Sequence, residues 1–241
     1  MRKIVIDEHT PKDPLALIGK MVGPCYGSDI SDPEKNKKRG IQCIKDGHYR
    51  VLEYATVWFT VSGYSARWAR EFYTHIGGSP TRTQASTRYI DEGNFDYYIP
   101  PSIEKEEGAK ELYTNTMDCI KATYMTLLKN GFAKEDVANL LPLGMSTTIS
   151  CHFNARTLMT MTEQRLCSRA LLEYREFMRV FLKELSSYSE QWKELCDLVM
   201  KCKCDKVGWC EEKFSCGKYP KKEDIKVIKT ISDIIVDTEQ K

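Results

Sequence analysis

The sequence predicts an α+β fold, and three of its features support that prediction. Residues 51–62, VLEYATVWFTVS, are rich in β-branched and aromatic residues and alternate at Val57, Phe59 and Val61, which is typical of a strand. A second strand is predicted over MSTTISCHF, residues 145–153. The segments between and after these strands carry helical periodicity, so we expect helices against a sheet, with a long helical section in the second half.

The first eighty residues supply the remaining elements of the first half. RKIVID predicts a short opening strand, and residues 14–21 predict a helix because Leu15, Ile18 and Met21 recur at helical spacing. SDPEKNKKRG, residues 31–40, is polar and is expected to be a loop leading into a surface helix. Ser65 is a plausible N-cap for a helix over ARWAREFYTHI that stops at Gly77-Gly78.

Helices dominate the predictions for the second half. YIDEGNFDYYIPP, residues 89–101, is strand-like, and KEDVANLLP is a short helix stopped by Pro142. The main helices are predicted over residues 103–130, 154–161, 168–185 and 188–200. The first of these has a single stripe formed by Leu112, Thr116, Ile120, Tyr124 and Leu127. We expect one α+β domain over residues 1–200 and a Cys-rich and Lys-rich extension over residues 201–241.

The composition is that of an ordinary soluble protein, with 41% hydrophobic and 29% charged residues and a net charge of +2. So small a charge gives no general attraction for nucleic acid or membrane, and neither partner is expected. No apolar run reaches the ~20 residues of a membrane helix, and MRKIVIDEHTPKDP lacks the apolar core of a signal peptide. A cytoplasmic location is therefore expected.

The stretch THIGGSPTRTQASTRYID, residues 74–91, holds many polar donors between two patterned segments. Backbone N–H groups of a Gly-rich turn can form an anion-binding nest, and Ser86 and Arg88 add side-chain donors suited to phosphate. A plain surface turn is the alternative. A second basic set includes Arg156 and Arg165, which lie among apolar residues, whereas a solvated face is the better interpretation for Arg175 and Arg179.

The histidines and cysteines give weaker signals. His48 and His75 are expected to be structural, because no HExxH or serine–histidine–acid pattern is present. The ten cysteines are interpreted mainly as small buried hydrophobes, as disulfides are uncommon in the cytoplasm. Cys202, Cys204, Cys210 and Cys216 fall within fifteen residues and have enough thiols for tetrahedral zinc. Their spacing is not that of paired CxxC knuckles, so free thiols remain the alternative and no metal is assigned.

Several blocks, in one order, resemble the flavin-dependent thymidylate synthases. That family's signature is Arg-His-Arg, seven residues, Ser, one residue and Arg-Tyr, and STRY supplies its end here. GHYRVLEYA resembles the family's Gly-His…Glu-His segment, and PCYGS resembles its Cys-Tyr helix end. LLPLGMSTTISCHFNARTLMTMTEQRLCSRALLE resembles its Leu-Pro…Asn-x-Arg…Arg segment. The resemblance covers residues 14–185 and implies a twisted, mainly antiparallel sheet flanked by helices in a homotetramer.

The chain departs from the signature at four places. The Arg-His-Arg triplet reads Thr74-His75-Ile76, and the spacer to Ser86 is two residues longer, with Gly77-Gly78 as the insertion. An arginine common before the Leu-Pro proline falls on Ala138, and Arg169 stands where histidine is frequent. Arg82 has no counterpart in the signature and is a candidate to replace the missing positive charge.

The resemblance implies a dUMP site and a flavin site. Arg165 would lie against the pyrimidine and favour the ionised form whose C5 is nucleophilic, and it is taken as catalytic together with Ser86. The implied dUMP-binding residues are Glu71, Gln84, Ala85, Ser86, Thr87, Arg88 and Arg165. The implied cofactor-binding residues are Thr74, His75, Ile76, Arg82, Asn154, Arg156 and Thr160.

The implied activity is reductive methylation of dUMP to dTMP. Methylenetetrahydrofolate would give the carbon, FAD would carry hydride and NADPH would reduce the flavin, in active sites built between subunits of the tetramer. Two alternatives remain open at this point. One is a related flavin-dependent enzyme that modifies C5 of another pyrimidine nucleotide, and the other is a non-catalytic nucleotide-binding or flavin-binding relative.

Overall fold

A four-stranded antiparallel sheet organises the molecule in the computed structural model, which describes residues 2–225. The strands are β1 (Lys3–Ile6), β2 (Thr56–Ser65), β3 (Thr81–Gln84) and β4 (Ser146–Asn154), in the order β1-β2-β4-β3. The main helices are α1 (Pro14–Val22), α2 (Pro33–Lys45), α3 (Ala66–Phe72), α5 (Glu107–Lys129), α7 (Ala155–Arg165), α8 (Leu172–Tyr188) and α9 (Glu190–Val199). Three short helices are α4 (Pro101–Glu104), α6 (Lys134–Val137) and α10 (Lys203–Val207). The α+β prediction is confirmed.

One face of the sheet is covered and the other is open. Val57, Phe59 and Val61 alternate inward on β2, where Phe59 packs on Phe181 of α8 with ring centroids 4.7 Å apart. On the open face Trp58 stacks on His152 of β4 at 3.9 Å while its side chain stays 44% exposed. Alternation of this kind is expected of a sheet with a single apolar layer against it.

Ser65, at the junction of β2 and α3, is the predicted N-cap. Its Oγ accepts from the N–H of Trp68 at 3.0 Å and donates to Glu173 of α8 at 2.5 Å. The Glu173 carboxylate is buried, also accepts from the backbone N–H of Ser65 at 2.9 Å, and pairs with Arg2 at 3.2 Å. A buried carboxylate needs such partners, so this group joins the N-terminus, α3 and α8 at one point.

Three predictions about the first half were wrong in their bounds. SDPEKNKKRG is helical from Pro33, because the Asp32 carboxylate caps α2 by accepting from Glu34 N at 2.9 Å. Residues Tyr49–Tyr54 form a 3₁₀ turn that buries Leu52, so β2 begins only at Thr56. Helix α3 ends at Phe72, earlier than predicted, and the Thr74 hydroxyl binds the carbonyl of Glu71 at 2.7 Å.

The second half also differs from prediction in places. The strand-like segment around Tyr97 makes only an isolated bridge to Met145. The long helix is divided into α4 and α5, and its predicted stripe is only partly covered, since Leu112 is 70% exposed. Within residues 2–225, no helix combines the length and the hydropathy that a membrane span requires. The lysine-containing tail over residues 226–241 lies outside the described residues.

Candidate functional site

Arg165, the last residue of α7, is held by Glu71 in the last turn of α3 and by Thr74 and His75 in the segment that follows α3. Its Nη1 donates to Glu71 Oε2 at 2.9 Å, its Nε to His75 Nε2 at 3.0 Å, and its Nη2 approaches Thr74 Oγ1 at 3.4 Å. The guanidinium also lies 4.8 Å from the ring centroid of Tyr174. We call Glu71, Thr74, His75 and Arg165 the arginine cluster. It orients a permanent cation within a partly buried site.

His75 is uncharged at neutral pH in this cluster. The residue is 8% exposed, and burial lowers its pKa to about 4, with the charges of Arg165 and Arg82 lowering it further in the same direction. A guanidinium has no acceptor, so the ring nitrogen facing Arg165 must accept the hydrogen bond. The ring also meets Tyr174 edge to face at 6.0 Å. His75 therefore positions Arg165 and adds no charge.

Arg82 lies on β3 and turns into an aromatic cage. Its guanidinium carbon is 4.9 Å from the ring centroid of Phe72, 5.3 Å from Tyr73 and 4.7 Å from Phe153. One Nη donates to the backbone carbonyl of His75, and Nε is buried without an acceptor among the described residues. This geometry fastens the segment after α3 to the sheet through cation–π contacts.

The two glycines of the loop are fixed by the N-terminus of α7. The hydroxyl of Thr157 donates to the carbonyl of Gly77, and Asn154 Nδ2 donates to the carbonyl of Gly78 at 3.2 Å. Asn154 Oδ1 also caps α7 by accepting from the N–H of Thr157 at 2.8 Å. Gly78 has φ +77°, and a Cβ there would lie 2.5 Å from Thr157 Oγ1. The conformation of this loop therefore requires glycine at position 78.

The donor-rich loop contains a strand that the sequence analysis did not predict. Thr81–Gln84 pair with β4 at the edge of the sheet, and the N–H of Ala85 donates to Thr148 O at 2.8 Å. The sequence signal was weak because this strand is polar on both faces, with no apolar alternation to mark it. The nest hypothesis therefore does not apply to residues 81–84, which are extended.

A turn follows β3. The carbonyl of Ser86 accepts from the N–H groups of Tyr89 and Ile90, at 3.1 and 3.0 Å, and its Oγ accepts from the N–H of Arg88 at 3.3 Å. The Arg88 side chain is 66% exposed and pairs with Glu135 at 3.1 Å. A surface pair of this kind contributes about 0–1 kcal/mol, so Arg88 can exchange Glu135 for an anionic ligand at little cost.

A cavity of about 450 Å³ joins two segments that carried the resemblance but gave no predicted site residue. Cys25 and Tyr26 come from PCYGS, and His48, Arg50 and Glu53 come from GHYRVLEY. Arg156 of α7 is close by, with its guanidinium carbon 5.9 Å from the Tyr49 ring centroid. Treating the matching blocks as neighbours in space would have found this cavity.

The chain matches the family model described as "Thymidylate synthase complementing protein" over residues 5–188. The flavin-dependent thymidylate synthase of Nitratidesulfovibrio vulgaris is 27% identical over 246 residues, which cover 90% of this chain and 95% of that protein. The flavin-dependent thymidylate synthase of Pyrococcus furiosus is 30% identical over 192 residues, 76% of this chain and 75% of that protein. That of Sulfurisphaera tokodaii is 36% identical over 181 residues, 71% of this chain and 67% of that protein.

The chain belongs to the flavin-dependent thymidylate synthase family. The match covers every element of the arginine cluster and the loop with Gly77 and Gly78. Membership explains why Ser86, Arg88 and Tyr89 keep the Ser-x-Arg-Tyr end of the family signature although the Arg-His-Arg arginines are absent. It also confirms the resemblance inferred from the sequence blocks.

The residues predicted from the family signature fall into three places. Glu71, Thr74, His75 and Arg165 meet in the arginine cluster. Asn154, Arg156 and Thr160 lie on the first two turns of α7, where the Thr160 hydroxyl binds the carbonyl of Arg156 at 3.3 Å. Gln84, Ala85, Ser86, Thr87 and Arg88 lie at the end of β3 and in the turn.

The three groups of predicted site residues make contacts with different parts of the chain. Gln84 Nε2 donates to Thr147 Oγ1 at 3.2 Å, on the sheet, and Ile76 is 76% exposed. Within residues 2–225, no hydrogen bond or ion pair joins Arg88 to the arginine cluster. The family signature therefore marks a composite surface, assembled from α3, β3 and α7.

The cysteines were only partly predicted. All ten are free thiols, and four are buried: Cys43, Cys151, Cys196 and Cys202. The interpretation as small buried hydrophobes is wrong for exposed Cys25 and Cys119, and Cys216 of the C-terminal cluster is an exposed free thiol. In the part of the chain that the structure describes, no three or more His, Cys, Asp or Glu side chains are arranged to hold a metal ion.

Proposed function

We propose that this family member catalyses FAD-dependent reductive methylation of dUMP to dTMP, with methylenetetrahydrofolate as carbon donor and NADPH as reductant. The observation that carries the proposal is Arg165, whose guanidinium is fixed by Glu71 and His75 beside the segment that carries the family signature. Its permanent charge supports a pyrimidine anion, and a negative ring makes C5 a better nucleophile.

The nucleotide's phosphate fits the turn after β3. Ser86 supplies a hydroxyl, and Arg88 supplies a guanidinium fork that suits phosphate oxygens. Because the Arg88–Glu135 pair is exposed, a phosphate dianion can displace the carboxylate. We assign Gln84, Ala85 and Thr87 to the same nucleotide site, on their place in the signature.

The residues around the cavity of Cys25, Tyr26, His48, Arg50 and Glu53 fit a flavin nucleotide. Its lining includes the Arg50 guanidinium, the His48 ring, the Glu53 carboxylate and the rings of Tyr26 and Tyr54, and its volume of about 450 Å³ falls in the range of ligand pockets. Asn154, Arg156 and Thr160 on α7 would hold the cofactor from the neighbouring side. When bound, FAD supplies hydride chemistry that no side chain can perform.

Arg82 was proposed from the sequence as a replacement for the missing arginines, but its side chain is already occupied within the protein. Its guanidinium is taken up by three aromatic rings and by the carbonyl of His75. We therefore propose that Arg82 supports the flavin site by fixing the backbone of His75 and Ile76. Direct contact with the cofactor stays a prediction, tested below.

A homotetramer with active sites between subunits is part of the proposal. Two exposed apolar features support it: Leu112 on α5 is 70% exposed and Trp58 on the open sheet face is 44% exposed. Among residues 2–225, no hydrogen bond or ion pair joins the arginine cluster to Arg88, and a neighbouring subunit can bring such groups together. Sedimentation analysis of the purified protein tests the assembly.

Tritium release from C5 tests the reaction. The protein is expected to purify with flavin absorbance and to release tritium from labelled dUMP when methylenetetrahydrofolate and NADPH are present. Release from UMP or dCMP, with none from dUMP, would move the assignment to another pyrimidine nucleotide. Colourless protein that cannot be reconstituted with FAD would refute the flavoenzyme assignment.

A further inference from the structure

A second cavity, of about 350 Å³, lies between the turn after α7, helix α8 and the C-terminal extension. Its lining includes four cationic side chains, Arg169, Arg175, Arg179 and Lys218, and only two carboxylates, those of Asp205 and Glu212. We call this space the α8 cavity. Its lining carries an excess of two positive charges, whereas the whole chain carries only +2.

The three arginines of the α8 cavity have no counter-ion among residues 2–225. Lys218 is paired with Asp205 at 2.5 Å. Within residues 2–225, the arginine ion pairs are those of Arg2, Arg88 and Arg165, and none involves Arg169, Arg175 or Arg179. The sequence-based interpretation of Arg175 and Arg179 as a solvated face is therefore incomplete, since both line this cavity.

Arg175 makes the strongest case for a missing partner. Its Nε is shielded from solvent and has no acceptor among the described residues. Arg179 follows one helical turn later, so two like charges face each other at i and i+4, which is unfavourable without an anion. A buried donor left unpaired also destabilises the protein. An anionic ligand with several acceptor oxygens would remove both penalties.

Two observations specify the kind of anion. Three guanidinium groups around one space match the oxygens of a phosphomonoester dianion, which arginine forks bind bidentately. Phe214, which is 64% exposed, lies 5.6 Å from the guanidinium carbon of Arg169 and offers a ring face beside the charges. A phosphate next to an aromatic face suits a nucleotide better than a free inorganic ion.

We infer that the α8 cavity binds the phosphomonoester of a nucleotide. Two sources share this chemistry: the 2′-phosphate of NADPH, and the 5′-phosphate of a mononucleotide bound away from the arginine cluster. Only the choice of NADPH rests on the proposed function. Binding at the cavity itself requires neither turnover nor flavin.

Cys216 provides a local probe of this site. The thiol is exposed and lines the α8 cavity, and a hydrogen bond from Ser168 lowers its pKa, which favours reaction with iodoacetamide. Cys119 on α5 is also exposed and serves as the internal control. Alkylation of the two residues is followed by peptide mass spectrometry in the full-length protein, with NADP⁺, NAD⁺, dUMP or inorganic phosphate added.

NADP⁺ is expected to slow alkylation of Cys216 by about ten-fold or more, with NAD⁺ much less effective and Cys119 unchanged. Protection by dUMP instead of NADP⁺ supports the cavity and assigns it to a mononucleotide. Absence of protection by every phosphate-bearing ligand at millimolar concentration would overturn the inference. Tritium release from dUMP is measured separately, so failure of the proposed reaction is recognised on its own.

Paired variants connect the protection to the arginines. Arg175→Gln with Arg179→Gln should abolish the protection of Cys216, whereas Lys183→Gln, an exposed change on the same helix, should preserve it. The single variant Arg179→Gln removes an exposed side chain, and its thermal unfolding midpoint is compared with that of the wild type to separate reduced protection from misfolding. Protection that survives in all three variants would show that the arginines do not bind the phosphate.

Discussion

Arg165 Nε donates to His75 Nε2 across 3.0 Å, so the ring nitrogen that faces the guanidinium is fixed as an acceptor and the His75 proton lies on Nδ1. The same guanidinium holds Glu71 at 2.9 Å. A cation is thus positioned by one neutral and one negative side chain. Because burial lowers the pKa of His75 to about 4, the ring stays an acceptor for Arg165 across the neutral range.

Acidification should weaken the fold through His75. The pKa of His75 is about 4 in the folded protein and near 6.5 in the unfolded chain, so below pH 6.5 the unfolded state binds more protons. Stability present above pH 6.5 is lost as the pH falls towards 4, by about 2 kcal/mol between pH 7 and 5. Urea unfolding at the two pH values measures this loss.

The control for that experiment is a pair of substitutions. His75→Gln keeps an acceptor for Arg165 and removes the titration, so its loss on acidification should be smaller than that of the wild type. His9→Gln changes an exposed histidine whose pKa is raised by Asp7, and it should keep the full loss. Equal losses in wild type and His75→Gln would contradict the assignment.

Arg165→Lys should lower dUMP affinity by about ten- to hundred-fold, because a lysine keeps the charge but cannot bind Glu71, His75 and a pyrimidine together. Calorimetric titration with dUMP measures the change. Glu71→Gln keeps a hydrogen-bond acceptor for Arg165 and is expected to lose less. An Arg165→Lys protein that binds dUMP as the wild type does would remove Arg165 from the nucleotide site.

Gly77 and Gly78 form a matched pair for the loop. Gly78→Ala should destabilise the protein by about 1–3 kcal/mol, because φ is +77° and the new Cβ would meet Thr157 and Asn154. Gly77→Ala meets no atom within 4 Å and should change stability by less than about 0.5 kcal/mol. Denaturant midpoints of the two variants give the comparison, and equal midpoints would show that the loop is not held as described.

Arg82→Met should destabilise the fold by about 1–3 kcal/mol while the protein that does fold keeps its flavin. The reason is that Arg82 contacts Phe72, Phe153 and the His75 carbonyl. Thermal unfolding and flavin absorbance per folded molecule separate the two effects. Stable Arg82→Met protein without flavin would instead support direct contact between Arg82 and the cofactor.

Arg88→Ala should weaken dUMP binding by about ten-fold or more and leave stability nearly unchanged. Its partner Glu135 is 58% exposed, so the lost pair contributes little to the fold. Lys183→Ala, an exposed change on α8, serves as the control. If both variants bind dUMP equally well, the turn after β3 does not hold the phosphate.

The sequence predicted the elements that have a strong local signal. Ser65 was predicted as an N-cap and is one, and the inward alternation of Val57, Phe59 and Val61 was predicted and is observed. The polar strand with Arg82 was missed because its pairing partner is distant in sequence and its own residues lack a pattern. The extended conformation of β3 depends on its pairing with β4 and not on its own residue pattern.

The candidate site was predictable only as far as the family signature reaches. Glu71, His75 and Arg165 were selected from matching blocks, and the structure adds their mutual contacts. Nothing in the sequence indicated that Arg82 turns inward or that Arg175 lacks a counter-ion, because both depend on what surrounds the side chain. Burial and charge pairing are tertiary properties and leave no local periodicity.

The hydrogen bond between Ser65 and Glu173 cannot form early in translation, because the two residues are far apart in the sequence. The helix that bears Glu71 begins at Ser65, yet the carboxylate that secures its first turn is made 108 residues later. Arg165 likewise follows Glu71 by 94 residues. A nascent chain that stops before residue 165 can pair β2 with β4 but has neither anchor. The arginine cluster therefore cannot form on a nascent chain until residue 165 has been synthesised and has left the ribosome.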